Sequence, residues 1–207
     1  EMRYDINNPS WEDRDRLILS IGHTAPVLYA SLAEAGFFPK DECMTLRKIG
    51  SRLQGHPSKD SELPGVETSA GSLGQGLGIA IGMALSAKMD DKNYRTYCVM
   101  GDGELQEGSV WEAAMAASNY RLDNLCAIID RNRLQIDGST ESVMALEPLD
   151  EKWTSFGWNV VEIDGHDHND IVDAFDVARA TKGQPTLILA NTIMGKGVRS
   201  IENDNKW

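Results

Sequence analysis

The sequence predicts an α/β fold, a mainly parallel sheet with helices on both faces. Four short apolar runs carry the prediction: YRTYCVMGDG, NLCAIIDRN, WNVVEIDG and QPTLILAN. None alternates apolar with polar residues, so each reads as a strand buried on both sides, the pattern of parallel rather than antiparallel sheets. Helix-forming segments separate these runs, and strand-helix-strand order places parallel strands beneath crossover helices. Asp102, Asp130, Asn132, Asp164 and Asn191 fall at or just past the ends of the runs. The carboxyl edge of such a sheet is where ligands gather.

The elements follow in chain order. TAPVLYASLAEAGFF reads as a helix in an otherwise irregular first third. Residues 50–78, GSRLQGHPSKDSELPGVETSAGSLGQGLG, form a long Gly/Pro/Ser loop entering a helix, and loops of that length in compact domains are mostly functional. GSVWEAAMAASNYR is an Ala-rich helix for which Ser109 is the predicted N-cap. In HNDIVDAFDVARATKG, residues Ile171, Ala174, Phe175 and Ala178 share one apolar face, and Gly183 is the predicted stop. No repeat or low-complexity tract is present. Residues 1–207 read as one domain with a core of its own.

Composition excludes several functions. A net charge of −12 and pI near 4.7 lack the basic face that a nucleic-acid surface needs. Any anionic ligand must be held locally, by backbone amides, a metal or a few cations. No apolar run approaches about 18 residues, so no membrane-spanning helix and no membrane partner are expected. Cys98 and Cys126 sit inside apolar runs and read as buried free thiols; Cys43 stands apart. Free thiols fit a reducing, cytoplasmic compartment. The sequence opens on Glu1-Met2 and stops at Lys206-Trp207, so one or both ends of the domain are expected to lie outside it.

The chemistry concentrates in GDGELQEGSVWEA. An Asp between two glycines is by itself an ordinary tight turn. Here Asn132 follows Gly103 after 28 residues, one βαβ unit later, so Asp102 and Asn132 reach the same sheet edge. A carboxylate, an amide oxygen and a main-chain carbonyl make a hard oxygen set suited to Mg²⁺ or Ca²⁺. Three glycines at 74, 76 and 78 open the helix after the long loop. Each costs up to about 1 kcal/mol of helix propensity, so each asks for a packing or ligand reason. A helix start of this kind is also a natural anion site.

These segments resemble the transketolase family. GDG, 28 residues and Asn is its thiamine diphosphate motif, and residues 55–78 are similar to its GHPE…PGVE-x-T-x-G-x-LGQG stretch, with Ser58 in place of Glu. LILSIGH and GDG-x-x-x-EG-x-x-x-EA also match. The match runs along essentially the whole chain and is to the N-terminal, diphosphate-binding domain, in particular the split bacterial and archaeal type in which that domain is a separate subunit.

The resemblance implies a thiamine-diphosphate-dependent transfer of a two-carbon ketol unit from a ketose phosphate to an aldose phosphate, a pentose phosphate pathway reaction. It implies that Asp102, Asn132 and the Leu134 carbonyl hold the divalent ion. Gly71, Leu73, Gly103, the Glu104 main chain and Asn132 would contact cofactor, while the Glu104 side chain has no family role and is expected in solvent. His23 and His56 are the implied catalytic residues. Glu107 and Glu112 would join a carboxylate network at a dimer interface. Lys196, in NTIMGKGV, is a candidate phosphate contact, and His166 and His168 are expected only to flank a helix. Family segments carrying further histidines lie before residue 1 and after Trp207. The Glu that activates the cofactor lies in the pyrimidine-binding domain, which this sequence lacks. A C-terminal pyrimidine-binding subunit is therefore the implied partner, in a homodimer or heterotetramer. Two alternatives remain: an enzyme for an unusual sulfo- or branched-chain sugar phosphate, and a non-catalytic cofactor-binding subunit.

Overall fold

A computed structural model describes residues 2–206. The expectation about the two chain ends rests on Glu1 and Trp207, which lie outside the described residues. The core is a five-stranded parallel sheet. Its strands are β1 (Arg16–Leu19), β2 (Thr96–Gly101), β3 (Leu125–Arg131), β6 (Asn159–Asp164) and β7 (Thr186–Asn191), in spatial order β1-β2-β3-β7-β6. A two-stranded antiparallel hairpin, β4 (Leu134–Gln135) with β5 (Gly138–Ser139), stands apart from it and leads into the single-turn α4 (Thr140–Val143). All four predicted strands are present. β1 is an addition: its four residues, RLIL, are too short to stand out from the loops around them.

Side chains alternate between the two faces as the strand period requires. Ile18, Cys98, Met100, Ala127, Ile129, Leu187 and Leu189 face α2 (Gly76–Met89), α3 (Gly108–Asn119) and α5 (Leu149–Ser155) in the largest core cluster. At its centre Trp153 packs edge-on against Trp158, ring centroids 4.9 Å apart. Tyr97, Cys126, Ile188 and Ala190 point the other way, toward α6 (His168–Ala180). Helices thus lie on both faces, as the sequence predicts. Ala174 and Ala178 are buried, with Ile171 and Phe175 packed beside them, so the predicted face of α6 is the observed one. α1 (Ala25–Glu34) builds a third cluster with the irregular segments around it.

Two helix boundaries depart from the prediction. The N-cap of α3 is Glu107 rather than Ser109, because the Ser109 hydroxyl donates instead to the Gly74 carbonyl at 3.0 Å. α6 ends at Ala180 with Thr181 as its cap; Gly183 lies further on, at φ +74°, where its N–H donates to Asp123.

The three cysteines are free, and Cys98 and Cys126 are buried as expected. Burial pushes the Cys126 thiol up to about 12 and Cys98 well above its usual value, so neither is a nucleophile. No helix among the described residues is long and apolar enough to cross a membrane.

Candidate functional site

The strand register aligns the carboxyl ends in one row: Gly101 beside Asp130, Asp130 beside Ala190, and Ala190 beside Ile163. Asp102 is one residue past β2, tied back by its N–H to the Asp130 carbonyl at 3.2 Å. A cleft of about 280 Å³ opens on this edge, lined by Asp102, Gly103, Asn132 and Leu134, with Leu73, Glu107 and His23 around them. The predicted oxygen ligands therefore converge.

Asp102 is 1% exposed. Its Oδ2 accepts from Arg131 Nη1 at 2.9 Å and from the Arg133 N–H at 2.6 Å. Neither of those bonds uses Oδ1. Burial pushes the carboxyl above its ordinary value, against the pull of Arg131 and of the Arg133 and Gly103 amides; a cation in the cleft would draw it back. Asn132 is also held. Its amide nitrogen donates to Asp130 at 3.1 Å, and its oxygen accepts from the Leu134 N–H at 2.9 Å, with a second lone pair spare. Among the described residues no cluster of three or more His, Cys, Asp or Glu side chains is arranged to hold a metal. A hard ion held by Asp102, Asn132 and Leu134 would rely on one carboxylate and neutral oxygens, with Glu104, Glu107 and Asp130 elsewhere in the lining, so the residues fit such an ion.

The glycines show why the backbone comes so close. A Cβ on Gly103 would lie 2.9 Å from Cβ of Gln135, so the 134–139 hairpin sits directly on the GDG turn. Gly74, at φ +80°, would collide with Ser109 and Glu107, and Gly76 with Ser20. Gly78 meets nothing within 4 Å. Of the three glycines opening α2, two have a packing reason and one has none inside this chain.

Glu104 corrects the expectation that its side chain lies in solvent: it is 1% exposed. Oε1 accepts from the Ser20 hydroxyl and from the Gly74 N–H at 2.7 Å, and Oε2 from the Gly101 N–H at 3.3 Å. One carboxylate thus joins the end of β1, the loop before α2 and the end of β2. Burial raises its pKa against those donors. A second residue that the motif comparison passes over is Arg131, the last residue of β3, 2% exposed beside Asp102. The only sequence signal for it is a charged residue ending an otherwise apolar strand, on the side shared with Ile129.

The other candidates divide. His23 is exposed but borders the cleft, and partial desolvation, with His56 nearby, lowers its pKa, so its imidazole is neutral near pH 7. His56 is exposed and lies against Gly71, whose added Cβ would sit 3.8 Å from the imidazole; both are outside the cleft lining. Glu107 and Glu112 are exposed, with only Glu107 at the cleft. Lys196 is exposed and lines a neighbouring cavity with Glu162, Asp164 and His166, so the structure does not bring it to Asp102. His166 tethers that loop, accepting from the Ile193 N–H at 2.8 Å, while Asp167 caps α6, so the flanking role foreseen for His166 and His168 holds.

Residues 1–206 match the family model described as the transketolase, thiamine diphosphate binding domain. The chain is 48% identical over 206 residues to an apulose-4-phosphate transketolase subunit from Phocaeicola vulgatus, covering all of this chain and 73% of that protein. It is 48% identical over 196 residues to the 6-deoxy-6-sulfo-D-fructose transketolase subunit SqwG of a Clostridium species, covering 95% and 71%. Among solved structures, transketolase from Campylobacter jejuni superposes with a TM-score of 0.93 at 33% identity over 99% of this chain. The chain spans 33% of that longer protein. The chain belongs to the transketolase family, as its thiamine diphosphate binding domain.

Proposed function

We propose that this chain is the diphosphate-binding half of a transketolase that moves a two-carbon ketol unit from a ketose phosphate to an aldose phosphate. The observation that carries the reading is the convergence of Asp102, Asn132 and Leu134 on one cleft, with Asp102 Oδ1 used by neither of the bonds to Oδ2. Asp102 Oδ1, Asn132 Oδ1 and the Leu134 carbonyl would hold Mg²⁺ or Ca²⁺ against the cofactor diphosphate. Thiamine diphosphate, when bound, would supply a nucleophilic carbon for the ketol transfer.

This chain's own residues then bind and orient. Leu73 offers an apolar wall, and Gly71 and Gly103 let the main chain approach. The Glu104 carboxylate holds the three backbone segments around the cofactor. His23, neutral near pH 7, can accept a proton from a sugar hydroxyl, with His56 beside it. Glu107 and Glu112 serve an interface between protomers, while Lys196, in the neighbouring cavity with Glu162 and Asp164, is given no part in the cleft. The cofactor-activating Glu comes from a pyrimidine-binding partner chain, in a homodimer or heterotetramer acting in the cytoplasm.

The sugar is a separate question. Relatives named for an apulose phosphate, for a sulfofructose and simply as transketolase match at 48%, 48% and 47% identity, so both the ordinary sugar phosphates and a branched or sulfonated sugar are candidates. The test is a ketol-transfer assay with the partner chain, thiamine diphosphate and Mg²⁺, run over ordinary, branched and sulfonated donors. Transfer with at least one donor, lost on adding a chelator before assembly, is the expected result. No transfer with any donor, despite bound cofactor, would favour a non-catalytic role.

A further inference from the structure

Arg131 makes four side-chain hydrogen bonds beside the cleft. Nη1 donates to Asp102 Oδ2 at 2.9 Å and to Thr140 Oγ1 at 2.8 Å. Nη2 donates to Glu141 Oε1 at 3.1 Å and Glu147 Oε1 at 2.7 Å. The acids are fixed in turn: Glu141 accepts from the Leu146 N–H at 3.2 Å and Glu147 from the Leu149 N–H at 2.9 Å. The same segment is pinned to the GDG turn by Gln106, whose amide donates to the Met144 carbonyl at 2.7 Å. The guanidinium therefore has one orientation, set from several sides, and it presents that orientation to a single oxygen of Asp102.

We propose that Arg131 is a positioning residue for the ion site: its fork holds Asp102 by Oδ2 so that Oδ1 faces the cleft, and it couples that carboxylate to residues 140–147. The inference rests on the reading of Asp102 as an ion ligand. Two effects of Arg131 oppose each other. Its positive charge repels a divalent ion, so on charge alone its removal would tighten binding. Its hydrogen bond to Oδ2 adds to that of the Arg133 N–H in fixing the ligand carboxylate, so on geometry its removal weakens binding. Geometry wins here because the charge is already neutralised. Asp102, Glu141 and Glu147 carry three negative charges around one positive, and the guanidinium field is spent on them before it reaches the cleft.

The test is calorimetric Mg²⁺ titration of the chain assembled with its pyrimidine-binding partner at saturating thiamine diphosphate, with thermal unfolding as a parallel readout. Outer ligand-orienting residues are worth about 10- to 100-fold in metal affinity, and Arg131→Met is expected to raise the Mg²⁺ Kd by that factor. Arg131→Lys keeps the charge but not the fork, and is expected to remain closer to Arg131→Met than to the parent. Should Arg131→Met not fold, Thr140→Val, which removes one acceptor of the guanidinium without changing any charge, decides instead, with several-fold weakening expected. Unchanged or tighter Mg²⁺ binding in a folded variant, while Asp102→Ala loses it, would overturn the role of Arg131. Unchanged binding in Asp102→Ala would overturn the ion-site reading beneath it.

Discussion

At the residue scale the site depends on two buried charges that do different work. Asp102 lines the cleft, held by Arg131 and the Arg133 N–H; Glu104, two residues later, accepts from Ser20, Gly74 and Gly101. A buried acceptor is costly to leave mismatched. Glu104→Gln puts an amide nitrogen against at least one of these donors, and a loss of about 1–3 kcal/mol in urea unfolding is expected; an unchanged midpoint would mean that the three bonds are not made in solution. Asp102, Asn132 and Leu134 are legible in the sequence because their motif is local to one βαβ unit. The Glu104 side chain is not, because its partners lie 84 and 30 positions away and only folding brings them together. Arg131 is illegible for a different reason: Glu141 and Glu147 sit only 10 and 16 positions on, in a segment that has no regular pattern until it folds over the GDG turn.

At the scale of elements, the start of α2 shows how close approach is encoded. A Cβ on Gly76 would lie 2.4 Å from the Ser20 side chain and 2.8 Å from its Cα, and the Gly76 N–H donates to Ser20 Oγ at 3.1 Å. Gly76→Ala must push apart α2 and the end of β1, and overpacking of this kind costs about 1–3 kcal/mol. Gly78 has open space, so Gly78→Ala is expected to stabilise α2 in the isolated chain by up to ~1 kcal/mol. Denaturation midpoints moving in opposite directions would bear this out; both falling would mean that Gly78 is packed after all. The glycines are visible in sequence, but their reasons are not, since Gly76 answers to a strand 56 residues earlier. β1 is unreadable for a related cause. Four residues give too short a run, and what makes RLIL a strand is its pairing with Thr96–Val99 of β2. The four longer strands and the apolar face of α6 are readable because period and burial agree over the whole element.

At the scale of the molecule, the strand order β1-β2-β3-β7-β6 puts the ends of β2 and β3 side by side. That adjacency makes a site out of residues 30 positions apart, and every role assigned to Asp102, Asn132 and Leu134 depends on it. The fold class follows from the sequence; the strand order does not, because pairing is decided by crossovers that leave no local mark. The most direct test of the account is calorimetric titration of thiamine diphosphate in the presence of Mg²⁺ into the assembled chains, comparing the parent with Asp102→Ala. Mg²⁺-dependent binding in the parent, abolished in Asp102→Ala while the fold is retained, is the predicted result. Equal cofactor affinity in the two proteins would contradict it.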